Sequence, residues 1–182
     1  MTIEPSQKPK NSSLDNAANI AIIIACAALL AMVANYFYQR TAFFHPNPGP
    51  PPGAAKKGET LKALQAVLPA GTERTLVVAV APGCHFCDES LPFYKALIAQ
   101  RNEKGSQVKF IAAVPGEDQK EPETTKFAGA GVTPDQMVSV DFAAIKVPGT
   151  PTLMLVDKQG KVLNVWIGKL DADGEKDVLA LL

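Results

Sequence analysis

The stretch from Leu76 to Pro92, LVVAVAPGCHFCDESLP, sets two cysteines at the junction of two different patterns. Leu76 to Ala81 is an unbroken apolar run of strand length that stops at Pro82-Gly83. A run without polar alternation marks a strand buried on both faces. Beyond it, Ser90 to Arg101 carries Leu91, Tyr94, Leu97 and Ile98 at the spacing of one helix face. Cys84 therefore opens a helix directly after a buried strand and a turn. At such a position unpaired backbone N–H groups and the helix dipole stabilise a thiolate. Cys87 lies about one turn further in, where it can close a short disulfide and resolve a mixed one. A C-x-x-C pair by itself also fits half of a metal site, so this placement is what favours redox chemistry.

The pattern continues on both sides of the pair. Thr60 to Leu68 has apolar residues at 61, 64, 67 and 68 and ends at Pro69, which predicts one short helix. Val108 to Val114, VKFIAAV, predicts a second buried strand, and residues 116–133 form a polar, acidic stretch that reads as an insertion, with a helix near Glu123 to Ala128. Met137 to Val140, Thr152 to Val156 and Val162 to Ile167 predict three more strands, the last two joined as a hairpin through Asp157-Lys158-Gln159-Gly160. Asp171 is placed to cap a final helix toward Leu182, with Asp173 and Glu175 near its positive end. The expected fold is α/β, a mixed sheet flanked by helices.

The N-terminal part has another character. No charged residue occurs between Asp15 and Arg40, and Ile20 to Ala34 reads IAIIIACAALLAMVA, followed by Tyr36, Phe37 and Tyr38. About 20 apolar residues span the hydrocarbon layer as a helix, and tyrosines favour its interface. Residues 18–39 are thus expected to form one transmembrane helix contacting the lipid bilayer. Residues 1–17 read as a disordered polar tail, and residues 40–58, which include HPNPGPPPGAAKKG from His45, as a Pro/Gly-rich linker. A cleaved signal peptide is the closest rival. Against it, cutting after Ala34 would put Met32 where a small residue is wanted. Ile23-Ile24-Ala25-Cys26 resembles a lipoprotein box, but the apolar run before it is short and the one after it long.

Composition narrows the functions. Eighteen basic residues balance eighteen acidic ones, so no global field draws the chain to nucleic acid. Three cysteines, with Cys26 isolated in the apolar run, provide no disulfide scaffold, and cysteine chemistry is confined to one site.

Around that site the sequence resembles the thioredoxin-like superfamily, and specifically the membrane-tethered thiol–disulfide oxidoreductases of bacterial envelopes. Besides Cys84 and Cys87, Pro92 matches the proline that kinks the family's active-site helix, and Gly149-Thr150-Pro151 before TLMLV matches its cis-proline loop. Gly160 and Gly168 match glycines of its hairpin turn and strand end. The resemblance covers residues 59–182, the expected thioredoxin-like domain. It implies that Cys84 attacks, that Cys87 resolves, and that a cis Pro151 faces the sulfurs while the Thr150 backbone pairs with an extended client peptide. The implied partners are protein thiol or disulfide clients and a membrane or soluble redox partner. No cofactor is implied. The implied location is a bacterial inner membrane, crossed once, with the C-terminal domain facing the periplasm or cell exterior.

Two departures matter. Gly83 replaces the aromatic residue that often precedes the first cysteine, and Val78 stands where thioredoxins place a buried acid. Between the cysteines, His85 and Phe86 are candidates for tuning the redox potential. His85 beside a thiolate favours its charged form, whereas Asp88 and Glu89 oppose it. Functions outside thiol exchange have less support. A copper or zinc module would need further ligands, and only His45, in the linker, is another histidine. A peroxidase would need P-x-x-x-T-x-x-C before Cys84, which is absent. A redox-inert docking module would have no use for an intact cysteine pair, although residues 116–133 offer a surface for one.

Overall fold

The computed structural model describes residues 12–42 and 51–182. These fall into two units, divided between Pro48 and Gly49.

Among the described residues, the first unit contains one helix, α1, Ser12–Ala42. Its most apolar stretch, Asn16–Asn35, has the length and composition to cross a membrane, and none of it is buried by protein. Twenty residues of helix rise about 30 Å, the thickness of the hydrocarbon layer. The helix extends beyond residues 18–39 at both ends, taking in 12–17 of the expected polar tail. Residues 1–11 of that tail, and His45 with the rest of 43–50, lie outside the described residues.

The second unit is a five-stranded sheet with helices. Its elements in order are α2 (Lys62–Gln65), β1 (Arg74–Ala79), α3 (His85–Glu103), β2 (Lys109–Val114), α4 (Lys120–Gly129), β3 (Gln136–Ser139), β4 (Thr152–Asp157), β5 (Val162–Ile167) and α5 (Ala172–Leu179). The sheet order is β3-β2-β1-β4-β5, parallel across β1–β2 and β2–β3, antiparallel across β1–β4 and β4–β5. The two long apolar runs become β1 and β2, each buried at five of six positions. Alternate residues along them serve two cores. Leu76, Val78, Phe110 and Ala112 pack with Tyr94, Leu97, Phe127 and Val178 from α3, α4 and α5. Val77, Ile111 and Ala113 pack on the other face with Leu61, Leu64 and Ile145.

Residues 116–133 are not an insertion appended to the fold. They contain a turn of 3-10 helix, Glu117–Gln119, and then α4, whose Phe127 is fully buried. Parallel neighbours β2 and β3 need a crossover of this kind, because a tight turn can join only antiparallel strands. The end of the linker also differs from a free spacer. Ala54 and Ala55 are buried, the Ala55 N–H donates to Lys146 O at 2.9 Å, and the Gly58 N–H donates to Val162 O at 2.7 Å. Proline and glycine keep this segment out of helix and sheet, yet its two small alanines fit against the core. The domain thus begins before Glu59.

The predicted hairpin forms, with Gly160 at φ +74° in its turn. A Cβ there would lie 2.8 Å from Leu61 O, so the approach of the α2 segment excludes a side chain. At the other end of the sheet the buried Arg101 of α3 forms an ion pair with Asp135, which also accepts the Phe110 N–H at 2.7 Å. Asp171 caps α5 by accepting the Gly174 N–H at 2.8 Å.

Candidate active site

β1 delivers the chain to the start of α3 through Pro82-Gly83, where Gly83 has φ +71°. That left-handed conformation suits glycine and explains why no aromatic residue stands before Cys84. Cys84 is the N-cap of α3, and its sulfur accepts the Cys87 N–H at 3.2 Å. Cys84 and Cys87 are joined as a disulfide with Cα atoms 5.2 Å apart. Cys84 is half-buried, whereas Cys87 is 1% exposed and belongs to the same core cluster as Val78. The sequence position that would hold a buried acid therefore packs apolar methyls in the core below the pair.

The second wall of the site comes from the loop that leads into β4, the antiparallel neighbour of β1, whose Thr152 is paired with Ala79. The Thr150–Pro151 peptide bond is cis, and Thr150 O lies 3.4 Å from Cys84 Sγ. Pro151 is buried, its carbonyl accepts the Gly168 N–H at 2.7 Å, and the Thr152 hydroxyl donates to Gly149 O at 2.6 Å. The structure thus brings Cys84, Cys87, Thr150 and Pro151 together.

His85 and Phe86 point outward. The His85 side chain is 77% exposed and its Nε2 lies 3.0 Å from Glu89 Oε1, one turn along α3. Phe86 presents an exposed ring next to Cys87. Pro92 lies inside α3, as its sequence position suggests.

Two carboxylates that follow Cys87 do not act as free charges, and the sequence reading missed their partners. Lys169, just after β5, donates to Glu89 Oε2 at 2.7 Å, and this bond holds Glu89 below the ordinary carboxylate range, with the His85 ring adding to the effect. On the other flank, Lys126 Nζ of α4 lies 2.9 Å from Asp88 Oδ1 and 2.7 Å from Glu123 Oε2. Burial works to lower Lys126, but these two carboxylates outweigh it and leave its pKa raised. Two of these contacts are local in sequence, Glu123–Lys126 at i, i+3 and His85–Glu89 at i, i+4; the lysines reach Asp88 and Glu89 from elements distant in the chain. Among the described residues no group of three His, Cys, Asp or Glu side chains is arranged to hold a metal ion.

This arrangement can carry out thiol chemistry at one accessible sulfur backed by a second, buried one. A family model described as a thioredoxin-like domain matches residues 61–181. No curated protein is significantly similar in sequence. Similar solved structures include StoA from Bacillus subtilis, with 18% identity over 60% of this chain and 84% of that one and a TM-score of 0.46. A putative thiol:disulfide interchange protein DsbE from Chlorobium tepidum has 27% identity over 60% and 78%, with a TM-score of 0.45. A thiol-disulfide isomerase from Corynebacterium glutamicum has 22% identity over 60% and 80%, with a TM-score of 0.48.

Proposed function

Since the chain belongs to the thioredoxin-like domain family, we propose that it is a membrane-anchored thiol–disulfide oxidoreductase that exchanges disulfides with client proteins through Cys84 and Cys87. The observation that carries this reading is the asymmetry of the pair. Cys84 sits accessible at a helix N-terminus with a backbone N–H on its sulfur, while Cys87 lies buried within disulfide reach.

The two sulfurs then divide the work. In the reducing direction the Cys84 thiolate attacks a client disulfide, forming a mixed disulfide and expelling one client thiolate. Cys87, deprotonated, attacks Cys84 Sγ and releases the second client thiol. The chain is left with its Cys84–Cys87 disulfide and the client has gained two electrons. Run backward, the same steps oxidise a client. A membrane or soluble redox partner resets the pair, and no cofactor is needed beyond the sulfurs. The cis bond at Pro151 leaves the Thr150 backbone available to an extended client segment, in the manner of strand addition. Phe86 offers that client an apolar contact, and His85 with Phe86 tunes the pair.

Val78 supplies no carboxylate to take the Cys87 proton, which argues against a fast reductase of the thioredoxin kind. Such traffic with clients belongs mainly to oxidising compartments. A single pass through a bacterial inner membrane, with the C-terminal domain on the periplasmic or outer face, fits both this chemistry and the apolar helix α1.

Client trapping tests the proposal. Full-length Cys87→Ser, unable to resolve, is expected to accumulate mixed disulfides with proteins, and adding Cys84→Ser is expected to abolish them. Adducts that survive loss of Cys84, or none at all in Cys87→Ser, would overturn it.

A further inference from the structure

We infer that Lys126 is a positioning residue of the redox site, the cation that keeps the carboxylates of Asp88 and Glu123 from suppressing the Cys84 thiolate; this rests on the proposed thiol–disulfide reading. Three observations support it. Asp88 lies in the helical turn that opens at Cys84, its N–H donating to Cys84 O at 3.2 Å, so it brings a negative charge to the first turn beside the cysteine pair. A like charge there disfavours a thiolate. Next, Lys126 Nζ reaches Asp88 and Glu123 at once, at 2.9 and 2.7 Å. Last, the Glu123 side chain is 4% exposed, and its Oε2 accepts no well-oriented hydrogen bond among the described residues, so its charge is offset there through Lys126 alone.

The chain Asp88–Lys126–Glu123 carries one net negative charge. Removing the lysine doubles it and removing Glu123 cancels it. The half-buried setting screens these changes little compared with the exposed flank. The other charged groups at this end of α3 are His85 and Glu89 on the helix itself and Lys169 opposite, and these are tied to one another. They stay the same in the variants below.

The two substitutions therefore move the Cys84 thiol in opposite directions, which loss of packing would not do. In full-length protein carrying Cys87→Ser, the rate of alkylation is followed against pH on the peptide that contains Cys84, which separates it from Cys26. Lys126→Met is expected to shift the thiol–thiolate equilibrium about threefold to tenfold toward the thiol. Glu123→Gln should shift it toward the thiolate, and Lys126→Arg should stay within twofold of the parent. In protein with both cysteines the disulfide should become correspondingly more reducing in Lys126→Met, by up to about 30 mV for a tenfold change in equilibrium constant. Shifts of the same sign in Lys126→Met and Glu123→Gln, or no shift in Glu123→Gln, would overturn the inference. If Lys126→Met does not fold, the sign in Glu123→Gln still decides. The alkylation profile does not need Cys84 to exchange with any client, so failure of the proposed function leaves this outcome readable on its own.

Discussion

Two short chains of charge flank the start of α3, and they use nearly the same residue types in different surroundings. His85–Glu89–Lys169 lies at the surface, with side chains 77%, 37% and 44% exposed. Asp88–Lys126–Glu123 runs inward, from a half-exposed aspartate to a glutamate 4% exposed. Contact distances are alike in both, so distance does not rank them. Burial does. Water and salt screen the outer chain and leave it little net effect on stability, whereas the inner one holds a charge that would be costly without its partner.

The sharpest way to break this contrast is to remove the cation from each chain in turn. Lys126→Met strands Glu123 and is expected to destabilise the folded domain by about 3 kcal/mol, the scale for an unpaired buried charge, read from urea denaturation of the full chain in detergent. Glu123→Gln removes the buried charge and leaves Lys126 on Asp88, so its loss should be about 1 kcal/mol. A loss in Glu123→Gln as large as in Lys126→Met would mean that packing, not charge, ranks the two chains. Lys169→Met should have the smallest effect, and adding 1 M salt should erase it.

The two chains also differ in the pH range where they act. The raised pKa of Lys126 means that its contribution is complete below the ordinary lysine value of 10.5 and is lost as pH rises through the higher folded value. The lowered pKa of Glu89 means that its contribution is present above the ordinary value of 4.5 and is lost as pH falls through the lower folded value. Stability profiles of Lys126→Met and of Lys169→Met should therefore rejoin the parent at the alkaline and at the acid end respectively.

Much of the fold can be read from local patterns. The apolar runs of β1 and β2, the turn glycines and Asp171 each act through near neighbours, so their positions mark them. The same holds for the placement of Cys84 at a helix start, whereas the cis Pro151 loop was legible only through the family resemblance carried by Gly149-Thr150-Pro151. Residues 116–133 misled although their helix was legible, because a helix that buries little besides Phe127 and Glu123 looks in composition like a surface insertion rather than a crossover of the fold. Ala54 and Ala55 misled for a related reason: proline-rich surroundings signal a spacer, while burial depends on partners such as Lys146 and Val162 far along the chain. The contacts of Lys126 to Asp88 and of Lys169 to Glu89 had no signal, because a salt bridge between distant elements has no spacing. His85, next to Cys84 in the chain, also engages Glu89 through its Nε2, a partner at i+4 that the sequence does contain.

The central claim is that Cys84 and Cys87 form a working redox couple. Thiol trapping of the full-length protein across a series of glutathione ratios measures it most directly. The expected result is a single two-electron transition between the dithiol and the intramolecular disulfide, abolished by substitution of either cysteine. A pair that stays as free thiols at every ratio, or a disulfide that no ratio reduces, would contradict it.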